Sequence, residues 1–123
     1  MIKFTIYGSL PNLNDYTQAN RGKNWYKGAK MKADAQEQCE WAIAQQCKGQ
    51  HLDCCNVEIV WYEPNAKRDP DNIIFAKKFI FDALITQGVL DNDGQKQILS
   101  IKECVKVDKL CPRIEVTLHE PSG

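Results

Sequence analysis

The sequence predicts an α+β fold, with a mixed or antiparallel sheet of about four strands packed against two principal helices. Short runs that alternate polar and apolar residues indicate the strands, and two longer runs with helical spacing of apolar residues indicate the helices. The length of 123 residues suits one domain, and 43% hydrophobic residues are enough for an ordinary core. We therefore expect residues 1–123 to form a single small domain with the element order β-α-β-α-β-β.

The first half of the chain is expected to contain a strand, a loop, a long helix and a second strand. Residues 2–7 alternate like a half-buried strand, and residues 8–20 are rich in Pro, Asn and Ser, which favours an irregular loop. Residues 24–46 carry apolar side chains at helical spacing, so they predict the long helix. Residues 57–63 have the β-branched and aromatic content of a strand.

The second half is expected to contain a central helix and a final pair of strands. Asp69 or Asp71 caps the helix, which runs to about Gln87 and is apolar around most of its circumference. Such a helix must be buried on several sides, and we expect a dimer to form in part through it. Residues 98–107 and 113–119 then read as strands.

The charge balance excludes a global attraction to nucleic acid but leaves a local one. The formal net charge is zero, from 16 basic and 16 acidic residues. A basic segment nevertheless lies between Asp15 and Asp34, where no acidic residue occurs. A run of cations is usually a solvated face, so this segment alone does not predict contact with DNA; it does so only if a site for phosphate chemistry lies next to it. Trp25 and Tyr26 interleave with it and either stack on nucleic acid or pack the helix start. The expected DNA-binding residues are Arg21, Lys23, Lys27 and Lys30.

The cysteines and histidines indicate no site of their own. None of the six cysteines forms a Cys-x-x-Cys pair, so a structural zinc site is disfavoured and all six are expected to pack as reduced thiols. His51 and His119 are isolated in sequence and are interpreted as surface residues. The chain begins without the apolar stretch of a signal peptide, and no window reaches transmembrane length, which favours a cytoplasmic protein with no membrane partner.

Two acidic clusters flank the predicted central helix, residues 67–72 (Lys-Arg-Asp-Pro-Asp-Asn) and residues 91–94 (Asp-Asn-Asp-Gly). Each alone is a good structural signal, the first for a helix cap and the second for a turn. Hard cations such as Mg²⁺ take carboxylate oxygens, with water and substrate phosphate completing the shell. Together the clusters predict a divalent-metal site for phosphate chemistry, where a bound cation activates water and polarises a phosphodiester.

One lysine is expected to face these acids. On one continuous helix at about 100° per residue, Lys78 falls on the same face as Asp71 and Asp82. Lys77 lies roughly 120° away. An ammonium beside metal-bound carboxylates stabilises negative charge on a reacting phosphate, so Lys78 is the predicted catalytic lysine. Asp93 joins the site if the turn after the helix brings it back to the first acids, which spacing alone does not decide.

The sequence contains four short motifs around the central helix: Arg68-Asp-Pro-Asp-Asn72, Asp82-Ala-Leu84, Gly88-Val89 and Asn92-Asp-Gly-Gln95. The opening loop adds Pro11, Asn14 and Tyr16. In their order and spacing these motifs resemble the RusA-type Holliday junction resolvases, a family with many phage and prophage members. The resemblance is strong over the central third of the chain and looser elsewhere.

The resemblance implies a RusA-like fold and a small homodimeric endonuclease that uses Mg²⁺, with Mn²⁺ as a substitute, and no small-molecule cofactor. Such an enzyme nicks two opposed strands of a four-way DNA junction, in DNA recombination and repair. Carried over by motif, the catalytic and metal-binding acids are Asp69, Asp71 and Asp93. Two other functions remain open, a metal nuclease acting on other branched DNA and a module that binds branched DNA without cutting it.

The family has a catalytic lysine in this region, and its position in this chain depends on the motif from which residues are counted. Counting from the first acids gives Phe75, whereas counting back from Asp82 gives Lys78. The chain is about three residues longer here than the best-known members, and three residues turn a helix by about 300°, which nearly preserves its face. The role is therefore assigned to Lys78.

Overall fold

The computed structural model describes residues 1–19, 21 and 25–121, apart from the side chains of residues 25 and 26. Within this part of the chain, four strands form one mixed sheet, and four helices contribute to the core on one of its faces. The predicted α+β class is confirmed. The elements are β1 (Ile2–Tyr7), α1 (Leu13–Ala19), α2 (Trp25–Gln46), β2 (Cys55–Glu63), α3 (Pro70–Ile74), α4 (Lys77–Thr86), β3 (Ile98–Val107) and β4 (Arg113–His119).

The strand order β1-β4-β2-β3 makes β1 and β3 the edges of the sheet. β4 runs antiparallel to both β1 and β2, whereas β2 and β3 are parallel. We call the end of the sheet where β2 finishes the Glu63 end, and the end where it starts the Cys55 end. At the Glu63 end the Asp108 N–H donates to the Glu63 carbonyl at 2.8 Å, and at the Cys55 end the Cys55 N–H donates to the Gln97 carbonyl at 2.8 Å. The nine residues of β2 separate the two ends by roughly 25 Å.

The core lies between the helices and one face of the sheet. Ile59 and Trp61 point into it from β2 and are at most 1% exposed. From α4, Phe79, Ile80 and Leu84 pack against this face with at most 2% of their surface exposed. The apolar sides of α4 are therefore buried within a single chain, although the sequence analysis expected a dimer contact to cover part of them.

The segment predicted as an irregular loop, residues 8–20, contains the short helix α1. The Asp15 N–H donates to the Asn12 side-chain oxygen at 2.7 Å, and the Asn12 N–H donates to the Asp15 carboxylate at 3.2 Å. This exchange is a capping box, in which two residues three apart satisfy each other's free N–H groups at a helix start. The loop prediction was wrong here because Pro and Asn occur both in loops and at helix starts, and in this segment Asn12 caps a helix.

The predicted central helix is interrupted between α3 and α4. The Ala76 N–H donates to the Ile73 carbonyl at 3.2 Å and the Phe79 N–H to the Ala76 carbonyl at 3.0 Å, both bonds of the i→i−3 kind. A turn of this kind advances by about 120° per residue instead of about 100°, so a single helical wheel does not relate α3 to α4. The prediction of one continuous helix over this segment is therefore wrong, and helical spacing alone no longer relates Asp71 to Lys78.

The cysteines are only partly packed, contrary to the expectation for all six. Cys39, Cys47 and Cys55 are buried, whereas Cys104 and Cys111 are exposed. Burial raises the pKa of the Cys39 thiol to about 12. In the described part of the chain, no helix has both the length and the apolar character needed to cross a membrane.

We predict that iodoacetamide at neutral pH alkylates Cys104 and Cys111 first and leaves Cys39 unmodified in the folded protein. The thiolate is the reacting form, and a raised pKa keeps Cys39 protonated until the pH passes that value or the chain unfolds. Peptide mass spectrometry over a time course, with and without urea, measures the order. Equal alkylation of Cys39 and Cys104 in the native protein contradicts the packing described above.

Candidate functional site

The first acid pair of the motif lies at the Glu63 end of the sheet, at the start of α3. The backbone carbonyl of Asp69 accepts hydrogen bonds from the N–H groups of Asn72 and Ile73, each at 3.1 Å. The Asp69 side chain makes no capping hydrogen bond. Asp69 and Asp71 are both exposed, and neither carboxylate has a hydrogen bond or ion pair to any other described residue. Both carboxylates are therefore available to a cation.

The late acids lie at the Cys55 end, in the turn before β3. Asp91 accepts from His51, whose Nε2 lies 3.2 Å from its carboxylate. Asp93 uses its backbone N–H to donate to the Asn92 side chain at 2.8 Å, while its carboxylate bonds to none of the residues described. The turn is closed by the N–H of Ile98, which donates to the Gly94 carbonyl at 2.9 Å. Of the two late acids, Asp93 is thus the one with a free carboxylate.

The two groups of acids do not meet within one chain. Asp69 follows the end of β2, α4 then carries the chain down the sheet, and Asp93 precedes the start of the parallel strand β3. The question that spacing left open, whether the turn after the helix returns Asp93 to the first acids, is answered in the negative for a single subunit. About the length of a strand, roughly 25 Å, lies between the two ends.

One trio of possible metal ligands is present among the described residues, and the sequence did not indicate it. His51, Asp53 and Asp91 each offer an atom within 4.8 Å of the other two. The His51 Nδ1 lies 3.9 Å from the Asp53 carboxylate, opposite the nitrogen that meets Asp91. The three residues come from two separate loops, so no sequence spacing marks them. Exposed acidic groups are common without an ion, and these three are all exposed.

The two lysines at the start of α4 differ in their contacts. Lys77 donates to Glu103 of β3, with 2.9 Å between the ammonium and the carboxylate. Lys78 is exposed and has no hydrogen bond or ion pair with the residues that the structure describes. Its place at the first turn of α4 puts it toward the Glu63 end, with Asp69 and Asp71.

Arg68 joins three segments at the Glu63 end, a role that sequence analysis missed. Its guanidinium lies 3.0 Å from the Asp15 carboxylate and 3.4 Å from the Glu63 carboxylate, and it donates to the Leu10 carbonyl at 3.1 Å. The Glu63 side chain is only 7% exposed, so this arginine supplies its counter-charge. Asp15 lies 53 residues away in sequence, which is why spacing gave no signal. Arg68 thereby fixes the segment that carries Asp69.

A groove of about 840 Å³ opens beside Arg68, between the β1–α1 segment and α2. Lys27 and Lys30 line it, so part of the predicted basic segment lies at the same end of the sheet as the first acid pair. Lys30 also pairs with Asp34 at 2.9 Å, which raises the pKa of this lysine. That pair is exposed and weak, so it leaves Lys30 free to exchange Asp34 for a phosphate. Arg21 is exposed, and Lys23 lies outside the described residues.

Free carboxylates at the same end of the sheet as a groove that contains Lys27, Lys30 and Arg68 are parts that a metal-dependent nuclease can use, since acids hold the ion and cations hold DNA phosphates. A comparison with protein families gives the same class. The family model described as Endodeoxyribonuclease RusA matches residues 9–119. The chain therefore belongs to the RusA endodeoxyribonuclease family, and the resemblance noted in its sequence is confirmed. A comparison with curated proteins found no match.

Membership of this family defines the reaction. The protein is an endodeoxyribonuclease of the Holliday junction resolvase type, which hydrolyses phosphodiester bonds. Nucleases of the RusA type depend on a metal ion and act on branched DNA junctions.

We predict that Arg68→Met lowers the free energy of unfolding by about 1–3 kcal/mol, because it leaves the buried carboxylate of Glu63 without its partner. Adding Glu63→Gln recovers part of the loss, since the amide removes the buried charge. Urea unfolding of the single and double variants measures both effects. Lys30→Met is the matched control, because it breaks an exposed pair and leaves the unfolding midpoint unchanged. An Arg68→Met protein as stable as the wild type contradicts the assignment.

Proposed function

We propose that the protein is a homodimeric, Mg²⁺-dependent resolvase that cuts a four-way DNA junction by paired nicks. Asp69, Asp71 and Asp93 are its proposed metal-binding and catalytic acids, and Lys78 is its catalytic lysine. One observation carries the proposal: the three motif carboxylates have no hydrogen bond or ion pair among the described residues, although each has charged or polar neighbours in sequence. These side chains therefore do not stabilise the described part of the chain through a hydrogen bond or an ion pair. Binding of a metal ion explains best why three carboxylates occur at these positions.

The donor chemistry of these acids fits Mg²⁺, with Mn²⁺ as a substitute. Both ions prefer carboxylate oxygens, and Mg²⁺ takes only one or two from the protein before water and phosphate complete its shell. Asp69 and Asp71 supply that number from one short segment. When bound, the ion supplies an activated water and polarises the phosphodiester.

Lys78 acts on the phosphate rather than on the ion. Its ammonium is free, unlike that of Lys77, which is bound to Glu103. A free ammonium near the reacting phosphate stabilises the negative charge that develops on the phosphate oxygens and the leaving group. This role requires the side chain to extend toward the Glu63 end, where Asp69 and Asp71 lie.

The homodimer is proposed because the site is incomplete in one chain. Asp93 lies at the Cys55 end, roughly a strand's length from Asp69. A two-fold partner that runs in the opposite direction presents its own Cys55 end at this chain's Glu63 end, so Asp93 of the partner subunit completes the site. Two such sites related by a two-fold axis suit a junction, whose two scissile strands are related in the same way.

DNA contact is proposed for Arg21, Lys23, Lys27 and Lys30. These cations would bind backbone phosphates without reading the base sequence, so binding weakens steeply as salt is added. The groove beside Arg68 supports this for Lys27 and Lys30. A role in DNA repair, a prophage origin and a cytoplasmic location stay predictions.

We predict that Asp93→Asn abolishes cleavage of a synthetic four-way junction and leaves junction binding intact. The amide loses the charge needed by the cation but keeps the shape of the turn. Cleavage is followed on denaturing gels with Mg²⁺ or EDTA, and binding by mobility shift in EDTA. Asp91→Asn, two residues away and paired with His51, is the matched control and retains cleavage. Undiminished cleavage by Asp93→Asn refutes its role.

The same assay tests the substrate. Mapping nicks on all four strands should show paired, opposed cuts, with three-way and linear DNA cut at least tenfold more slowly. Equal rates on the three substrates contradict the resolvase assignment. Junction binding without any cut, with either metal, contradicts the enzymatic proposal itself.

A further inference from the structure

One face of the sheet has no helix packed against it in the described part of the chain. The helices pack on the face that carries Ile59 and Trp61. The other face, which we call the open face, carries the odd-numbered residues of β1 and β4 and the even-numbered residues of β2 and β3. Each of these side chains is half-buried or exposed. Side chains from all four strands are therefore accessible from this side.

The open face carries more positive than negative charge. Its cations are Lys3, Lys102, Lys106 and Arg113. Its two acids already have partners, since a Glu115 oxygen lies 2.7 Å from the Arg113 Nε and a Glu58 oxygen lies 3.1 Å from the His119 ring. The ammonium groups of the three lysines have no hydrogen bond or ion pair with any residue that the structure describes. The open face is thus a surface with three free cations.

A row of aromatic and cationic side chains crosses the open face at the Glu63 end. In register across the four strands, the row is Tyr7, Arg113, Tyr62 and Lys106. The guanidinium carbon of Arg113 lies 3.8 Å from the centroid of the Tyr62 ring, and its nitrogen lies 2.8 Å from the Asp108 carboxylate, so the middle of the row is fixed. Tyr7 and Lys106, at the two ends of the row, are exposed. A tyrosine hydroxyl and an ammonium both bind phosphate oxygens, so the row suits a nucleic-acid backbone.

The spacing of the free lysines fits an extended anion better than a small one. Lys102 and Lys106 are four residues apart on β3, which is roughly 13 Å. Lys3 lies in the same row as Lys102 but three strand spacings away, which is roughly 14 Å. A small anion reaches one of these lysines, whereas duplex DNA carries one negative charge per about 1.7 Å of its axis and can meet all three. The occupant that fits the open face is therefore the backbone of DNA.

The open face and the groove beside Arg68 lie on opposite sides of the sheet. The groove lies on the helix side, and Lys27 and Lys30 line it at the Glu63 end. The aromatic and cationic row occupies the same end on the other side. Asp69 and Asp71 follow β2 at this end. The first acid pair therefore lies at the end of the sheet that both cationic surfaces share.

We infer that the open face is a second DNA-binding surface, which holds the phosphate backbone of one arm of a branched substrate while the groove beside Arg68 holds another arm. The inference rests on the proposed function. A straight duplex lies along one side of the sheet and contacts one surface, whereas two arms that diverge at the Glu63 end contact both. In the proposed homodimer, two subunits with two surfaces each provide one surface for each arm of a four-way junction. The sheet thereby favours branched over linear DNA.

The first test removes two charges from the open face, in the double variant Lys102→Gln/Lys106→Gln. The slope of log affinity against log salt for a four-way junction should fall by about two for each subunit, because two phosphate contacts are lost. Junction affinity should fall by roughly tenfold or more, since the second arm is no longer held. A linear duplex still binds in the groove, so its affinity should fall by about twofold at most. Mobility shift in EDTA measures all three.

Lys102→Glu and Lys48→Glu provide a matched pair of single variants. Both lysines are exposed, but Lys48 follows the end of α2, on the helix side and at the Cys55 end. Both substitutions change the net charge equally. Lys102→Glu should weaken junction binding by roughly tenfold, whereas Lys48→Glu should leave it within about twofold of the wild type. Circular dichroism checks that both variants are folded.

The second test locates the contacts without a substitution. Lysine acetylation followed by peptide mass spectrometry compares the free protein with its junction complex in EDTA. The junction should protect Lys106 and Lys27 in the same complex, while Lys48 reacts as in the free protein. A linear duplex should protect Lys106 and Lys27 less completely, because it occupies one surface at a time. Protection of Lys27 by the junction without protection of Lys106 overturns the second surface.

The surface and the function fail separately. A wild-type protein that cuts junctions, with a double variant of unchanged junction affinity, overturns the DNA-binding role of the open face and leaves the resolvase proposal standing. A double variant that loses junction and linear-duplex binding equally overturns the assignment of separate arms to the two surfaces. A wild-type protein that binds junctions without cutting them, with junction binding lost in the double variant, overturns the function and leaves the surface.

Discussion

The parallel pairing of β2 with β3 is the constraint on which the rest of the structure depends. Parallel neighbours need a connection that travels the length of the sheet, and α3 and α4 make that crossing here. The crossing buries α4 against the sheet, which builds much of the core. It also separates the acids, since Asp69 precedes the crossing and Asp93 follows it. The parallel pairing of β2 and β3 thus stabilises the subunit and also places the proposed metal-binding acids at opposite ends of the sheet.

Dividing the acids has an energetic consequence. Three carboxylates in one site repel each other unless a cation neutralises them, whereas acids held at opposite ends of a sheet do not. Within a single subunit, Asp93 therefore adds no charge repulsion to Asp69 and Asp71. In the proposed dimer, the partner's Asp93 would join Asp69 and Asp71, so association and ion binding would be coupled, because each removes a cost from the other. Arg68 fixes one side of this arrangement by tying the motif segment to Glu63 and Asp15.

The sequence predicted local structure better than long-range placement. The strands at residues 98–107 and 113–119 have the predicted bounds, and α2 begins within about one residue of its prediction, because alternation and helical spacing are local signals. The break after α3 was missed, since the i→i−3 turn at Ala76 occurs in a sequence with no Gly or Pro to mark it. The contacts of Arg68 and His51 join residues far apart in the chain, and no spacing rule reports them. Whether β3 runs parallel to β2 likewise depends on the whole chain.

The most direct test of the divided site is to co-express Asp69→Asn and Asp93→Asn subunits with different tags and purify the mixed dimer. Each variant alone should be inactive. If the partner supplies Asp93, one site of the mixed dimer contains both altered acids and the other contains neither, so the mixed dimer regains roughly half of the wild-type nicking rate. A mixed dimer of Asp69→Asn with Asp71→Asn is the control and should stay inactive. A mixed Asp69→Asn and Asp93→Asn dimer that binds junctions but never nicks them would contradict the account.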